Sequence, residues 1–266
     1  MSEQMKGQEL LYEQRGNMAW LTLNRPAAMN SLNLAIISRF ESLLPEIASN
    51  DEIRVVIITG NGPAFCAGAD LKEVLAGKDL PPGEPDFLDR VCENVMDPLR
   101  DYPKPVIAAL NGITMAGGLE LTMCCDIVIA SEEAKIGDAH ANFGVYPGAG
   151  GAAILPRLVP HNIGKYLIFT GKTLSAKDMQ TYGLVNDVVP AEKLESATTA
   201  LAELVASKSP IALQRMKKVA NASLEKSRDA ALQHEQVMLR RHERSYDMAE
   251  GLRAFSEKRT PEFQGR

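Results

Sequence analysis

The chain has 266 residues, 45% of them hydrophobic and 24% charged, enough for one large domain or two small ones with a core that needs no staples. Its net charge of −5 argues against nucleic acid or an anionic membrane surface as the main partner. Its 4 cysteines (Cys66, Cys92, Cys124 and Cys125) match no zinc spacing, and their adjacent pair is no disulfide framework, so they read as reduced thiols.

The opening MSEQMKGQELLYEQ has neither an apolar stretch nor an arginine-rich amphipathic pattern, and no apolar run reaches membrane-spanning length. These features predict a cytoplasmic protein without membrane contact. LLYEQRGNMAWLTLNRP then reads as a hairpin turning at Arg15-Gly16-Asn17. Residues 34–48 carry helical periodicity in Leu34, Ile37, Leu44 and Ile47, with Pro45 predicting a kink or an early end. RVVIITG is a buried strand closed by glycine, and NGPAFCAGADLKEVLAG is a loop entering a short helix. Residues 77–85, GKDLPPGEP, predict a mobile loop that orders around ligand. Residues 86–102 read as helix.

The strand–loop–helix unit then recurs loosely. KPVIAALNG is a buried strand ending in Asn-Gly, GGLELTMCC opens a helix, and DIVIAS is another strand. Helices are expected at 152–158 and 163–170, a late strand in LVNDVVP, and helix from Glu192 to near Arg259. Strands and helices alternate to about residue 190, the pattern of an α/β fold. The helical tail is too thin to hold a core alone, so it should pack on the body or on another subunit. The expected division is 1–191 for the α/β core and 192–266 for the helical region.

Two strands end in loops of one character. Ala67-Gly68-Ala69 precedes one helix and Ala116-Gly117-Gly118 opens the next. Small residues admit a ligand to the backbone, and free N–H groups at a helix start attract negative charge. If the loops face each other, they can hold one oxygen as an oxyanion. Each loop alone also reads as a tight turn that needs glycine. Glu120, on the first turn of its helix, is placed for proton transfer, although an acid there also suits the helix dipole. His140 sits in IGDAHANFGVYPGAGG beside Asp138 and ahead of a glycine-rich bend. Its ordinary pKa of about 6.5 suits proton transfer near neutrality, and a loop histidine bonded to backbone is the other reading. GAGGAA, residues 148–153, fits the loose dinucleotide pattern G-x-G-x-x-A but lacks a preceding strand and an acid at the required distance, so NAD binding is rejected. No P-loop, G-x-S-x-G or H-E-x-x-H occurs.

AFCAGADLKE, then KPVIAALNGITMAGGLELTMCCDIVIAS, FGVYPGAGG and GLVNDVVP, resemble the enoyl-CoA hydratase/isomerase (crotonase) family. The likeness runs from LNRPAAMNSLN to GLRAFSEKRTPEF. It implies an α/β, crotonase-like spiral of ββα units with a C-terminal helical region that builds trimers, sometimes paired as hexamers. It implies an acyl-CoA thioester as substrate and no metal or cofactor beyond the coenzyme A of that substrate. By match of motif, Ala67 and Gly117 supply the two oxyanion N–H groups. The CoA contacts fall on Ala27, Ala28, Gly68, Ala69, Asp70, Lys72, Phe255 and Lys258, and the acyl pocket on Met115, Phe143 and Tyr146. The hydratases use two glutamates. One matches Glu120, and the other falls at His140. The family's isomerases rely on a carboxylate at that second place, so its absence favours hydration of a 2-enoyl-CoA to a 3-hydroxyacyl-CoA. Another enolate reaction using His140 (isomerisation, hydrolysis or C–C chemistry) and a silent CoA binder stay as alternatives.

Overall fold

In the computed structural model, residues 9–76, 81 and 83–266 are described. The loop expectation for 77–85 falls mostly on 77–80 and 82, outside the described residues. The first strands, β1 (Leu10–Arg15) and β2 (Met18–Leu23), form the expected antiparallel hairpin, with Gly16 at φ 59°. The chain next repeats one pattern, a long apolar strand, a bend and a three-residue strand. β3 (Val55–Gly60) leads to β4 (Ala64–Cys66), β5 (Val106–Leu110) to β6 (Ile113–Met115), and β7 (Ile127–Ser131) to β8 (Lys135–Gly137).

Each turn of this spiral feeds two sheets. The long strands join the hairpin and a late strand, β10 (Asp187–Val189), in the order β1-β2-β3-β5-β7-β10, parallel beyond the hairpin. The short strands join β9 (Thr173–Ser175) in the order β4-β6-β8-β9. The short strands were not legible as strands, because three residues carry no periodicity.

The long strands are apolar throughout because both faces of their sheet are covered. Leu21, Leu23, Val56, Ile58, Ala108, Leu110 and Val128 pack in the main core with Ile36, Phe40 and Leu43 of α1 (Leu34–Ser49). The alternating residues Trp20, Val55, Ile57, Ile107 and Ile129 pack beneath Leu194, Ala202 and Ala206 of a helix at Leu194–Ala206. That helix lies past residue 191 and covers the second face of the sheet. Phe40 is fully buried. Phe40→Ala should cost about 3–5 kcal/mol, read as a lowered denaturant midpoint at unchanged slope.

Several helices depart from expectation. Pro45 neither ends nor shortens α1, which continues to Ser49. Pro45 and Glu41, whose carbonyl loses its partner, are both exposed, so water can serve it. α2 is Leu71–Ala76. The helix expected at 86–102 is three pieces: α3 (Phe87–Val91), a π turn at Cys92–Met96, and α4 (Asp97–Arg100), with Pro98 just after the π turn. α5 is Gly117–Met123. The helix expected at 152–158 is only α6 (Leu155–Leu158), since 151–154 form turns anchored on the Gly150 carbonyl. α7 (His161–Thr170) starts after Pro160, and α8 is Ala176–Thr181. The C-terminal region is α9 (Leu194–Ala206), α10 (Pro210–Ser223), α11 (Arg228–His242) and α12 (Tyr246–Glu257). The closing segment is tied back by buried acids. Asp247 accepts from the N–H groups of Gln264 (2.7 Å) and Gly265 (3.1 Å), and Glu250 pairs with Arg259.

Candidate active site

The second sheet positions the candidate site. Met115 of β6 lies opposite Gly137 of β8 in parallel register, so the segments leaving both strand ends start side by side. From β6 the chain turns at Ala116, φ 49° and ψ −120°, directly into α5. Such backbone costs a non-glycine residue about 1–3 kcal/mol. Bonds from the Ala116 N–H to the Gly137 carbonyl (3.2 Å) and from the Glu120 N–H to the Ala116 carbonyl (3.0 Å) hold it. All of α5 is buried, Glu120 included. From β8 the chain turns at Ala139, φ 60°, into a 3₁₀ turn at His140–Phe143.

These two exits bring Glu120, His140 and Asp138 together. Glu120 Oε1 accepts from the N–H groups of Ala149 (2.8 Å) and Gly151 (3.0 Å). The Arg100 guanidinium holds the Ala149 carbonyl from behind. Glu120 Oε2 stands 4.0 Å from His140 Nε2. That gap is too long for a direct hydrogen bond. A single oxygen about 2.8 Å from both atoms would see them at roughly 90°, a workable angle for water or a hydroxyl.

His140 Nδ1 lies 3.0 Å from Asp138 Oδ1, which also accepts the His140 backbone N–H at 3.3 Å. In an extended strand residues i and i+2 share a face. Here the left-handed turn at Ala139 makes the contact instead. Burial pulls the imidazole down, but the hydrogen bond and charge of Asp138, with the charge of Glu120, outweigh it and raise the His140 pKa above the ordinary value.

The two small-residue loops do face each other. A Cβ on Gly117 would lie 3.3 Å from the Gly68 Cα and 3.4 Å from the Ala69 nitrogen. Gly68 adopts φ 113°, which a side chain would strain. One expected donor is corrected. The Ala67 N–H already donates to the Met29 carbonyl at 3.0 Å, so it is not available to a ligand. Asp70 N–H donates to the Leu32 carbonyl, and Leu32 N–H to the Gly68 carbonyl. Ala69 alternates with these, and among the described residues neither its N–H nor that of Gly117 has a protein acceptor.

The other expected residues are dispersed. Ala27 and Ala28 lie in a 3₁₀ turn, Pro26–Ala28. The Asp70 carboxyl is raised by burial but lowered more by Arg25, which bonds it at 3.0 Å, and by the Lys72 N–H, so it ends below its ordinary value. Asp70 therefore braces its own loop, while the Lys72 side chain is exposed. Met115 is half-buried beside the loops, whereas Phe143 and Tyr146 are 73% and 80% exposed. Phe255 and Lys258 are exposed at the end of α12, outside the hydrogen-bonded cluster around Glu120. Sequence reasoning missed Ala149, Gly151 and Arg100. The GAGG bend signalled the first two, but their N–H groups acquire a use only through folding. Cys92 Sγ approaches the Gly148 carbonyl at 3.8 Å, and burial, then the charges of Asp97 and Glu120, raise its pKa, so it is no ready thiolate. Among the described residues no cluster of His, Cys, Asp and Glu can hold a metal, and no helix is long and apolar enough to cross a membrane.

With this geometry in view, comparison with known proteins is specific. The sequence model of the enoyl-CoA hydratase/isomerase family matches residues 13–266. The 2,3-dehydroadipyl-CoA hydratase of Escherichia coli is 37% identical over 258 residues, covering 97% of this chain and 99% of that protein. The short-chain-enoyl-CoA hydratase of Clostridium acetobutylicum is 34% identical, covering 96% and 97%. The crystal structure of an enoyl-CoA hydratase from Bacillus anthracis superposes with a TM-score of 0.91 at 37% identity, covering 97% of this chain and 100% of that one. The two-sheet spiral is thus the crotonase fold, and the chain belongs to the enoyl-CoA hydratase/isomerase family.

Proposed function

We propose that the protein hydrates 2-enoyl-CoA thioesters to 3-hydroxyacyl-CoA. The observation that carries this reading is the 4.0 Å gap between Glu120 Oε2 and His140 Nε2, beside the facing N–H groups of Ala69 and Gly117. Water bridges the gap. Glu120 takes one of its protons as the oxygen attacks Cβ. The electrons of the double bond move toward the thioester, and the enolate oxygen accepts from the Ala69 and Gly117 N–H groups. Each such donor is worth about 2.7–4 kcal/mol of barrier. The His140 Nε2–H then gives its proton to Cα. The proton on Glu120 returns to His140 across the same gap, which resets the pair.

Crotonyl-CoA and longer enoyl-CoAs test the reading through loss of the enoyl absorbance. No loss at any chain length would overturn it. Turnover of some other acyl-CoA, abolished by both Glu120→Gln and His140→Ala, would establish a different enolate reaction. Retained thioester binding with no turnover across an acyl-CoA panel would mark a silent binder.

The imidazole adds a pH signature. The competent form is the imidazolium, and its pKa is raised. Activity should therefore hold through the ordinary imidazole range and fall as pH rises through the raised value. His140→Gln should remove that alkaline limb and lower kcat by about 10²-fold or more. An alkaline limb that persists in His140→Gln would assign it elsewhere.

The same reading places coenzyme A along Ala27, Ala28, Gly68 and Lys72, with Phe255 and Lys258 meeting its nucleotide end from a neighbouring copy. A trimer or dimer of trimers is supported by exposed Met216, Leu232, Val237, Leu252 and Phe255 on the C-terminal helices. Light scattering on the purified protein decides it, and a monomer at assay concentration would contradict it. Four free cysteines support a cytoplasmic setting.

A further inference from the structure

Asp138 is the buried charge that the hydration scheme leaves unused. Its side chain has no exposure, and Oδ1 carries both contacts to His140. Oδ2 has no hydrogen-bond partner among the described residues. A buried carboxylate with one idle oxygen is costly, and a merely structural tie to the loop would not need its charge. Space for it is made by Gly151, where a Cβ would lie 2.4 Å from Oδ2 and 2.7 Å from the Pro147 Cβ. The same glycine donates its N–H to Glu120 Oε1. One residue thus shapes both the seat of the carboxylate behind the imidazole and the seat of the glutamate in front of it.

Resting on the hydratase reading, we infer that Asp138 is a positioning residue that holds the proton on His140 Nδ1 and so leaves Nε2 as the atom that handles protons toward Glu120. The charged groups acting on the ring are Asp138 on its own segment and Glu120 from α5. On α7, which packs against the same turn, His161 and Lys165 are exposed. An acceptor-only carboxylate at Nδ1 permits one neutral tautomer. An amide at the same place can donate to Nδ1 and so permits the wrong one.

Nitrogen-15 NMR of the histidine rings tests this without any activity assay, the His140 signals being those lost in His140→Gln. In the wild-type protein the neutral ring should be the Nδ1–H tautomer. An Nε2–H tautomer overturns the inference with no further variant needed. In Asp138→Asn the His140 pKa should fall, and the Nε2–H tautomer should appear. An unchanged ring in a folded Asp138→Asn protein also overturns it. The kinetic arm expects kcat to fall by about 10²-fold with KM little changed and the alkaline limb moved to lower pH. If the ring behaves as stated but the wild-type protein hydrates no enoyl-CoA, the hydratase reading fails and the assignment of Asp138 to the tautomer stands.

Discussion

Glu120→Gln should lower kcat by about 10²–10⁴-fold and leave the fold intact. The two carboxylate oxygens have different surroundings. Oε1 accepts two backbone N–H groups, from Ala149 at 2.8 Å and Gly151 at 3.0 Å. A glutamine can keep both bonds through its amide oxygen. With those donors fixed, the amide nitrogen must sit where Oε2 was, facing His140. The variant therefore retains packing and loop geometry but presents a donor where water needs a base. Glu120→Ala would mix two effects, since it strands two buried N–H groups at about 1–3 kcal/mol each. Thermal melts of both variants separate stability from chemistry, and stopped-flow or steady-state hydration of crotonyl-CoA reads the rate. Near-wild-type turnover in Glu120→Gln would remove Glu120 from the proton transfer.

Gly117→Val should cost about 10²–10³-fold in kcat/KM. A Cβ on Gly117 would already press on the Gly68–Ala69 peptide, at 3.3 Å from Gly68 Cα and 3.4 Å from the Ala69 nitrogen. The two further methyls of valine add bulk at that contact, so the thioester oxygen should lose one or both of the proposed donors. Calorimetric titration with free coenzyme A should show largely retained binding, because the contacts proposed for its nucleotide end, Phe255 and Lys258, lie outside this pair. Equal losses of coenzyme A affinity and kcat/KM would instead mean that the loop as a whole had collapsed.

The site was legible to an uneven degree. Glu120 and Gly117 stood out because α5 begins in a glycine run straight after a buried strand. His140 stood out as an imidazole where a second carboxylate is expected. The motif match points to Ala67 as the donor of its loop, and its neighbours Gly68 and Ala69 are small residues with the same N–H group. Only the pairing with Met29 and Leu32 tells them apart, by consuming the N–H groups of Ala67 and Asp70 and sparing that of Ala69. The role of Asp138 was half-visible. Its nearness in sequence was plain, and an Asp that bonds the N–H two residues on is a local habit, but the contact with the ring needs the left-handed turn at Ala139, and alanine rarely adopts φ 60° unless tertiary bonds hold it there.

By itself the sequence determined the long strands of the main sheet, the family to which the chain belongs and the choice of Glu120 and His140, which lie 4.0 Å apart, as the candidate pair. Apolar runs covered on both faces and ordered motifs are local properties of the chain, and they survive reading in one dimension. Only the tertiary structure decided the second sheet, the pairing that occupies the Ala67 N–H and spares that of Ala69, the seats of Glu120 on Ala149 and Gly151, and the Asp138–His140 contact. The loop pairing beside Ala69 and the seats of Glu120 depend on which N–H and carbonyl groups find partners across 29 to 38 residues of chain. A backbone donor looks the same in every residue until the fold has either paired it or left it free.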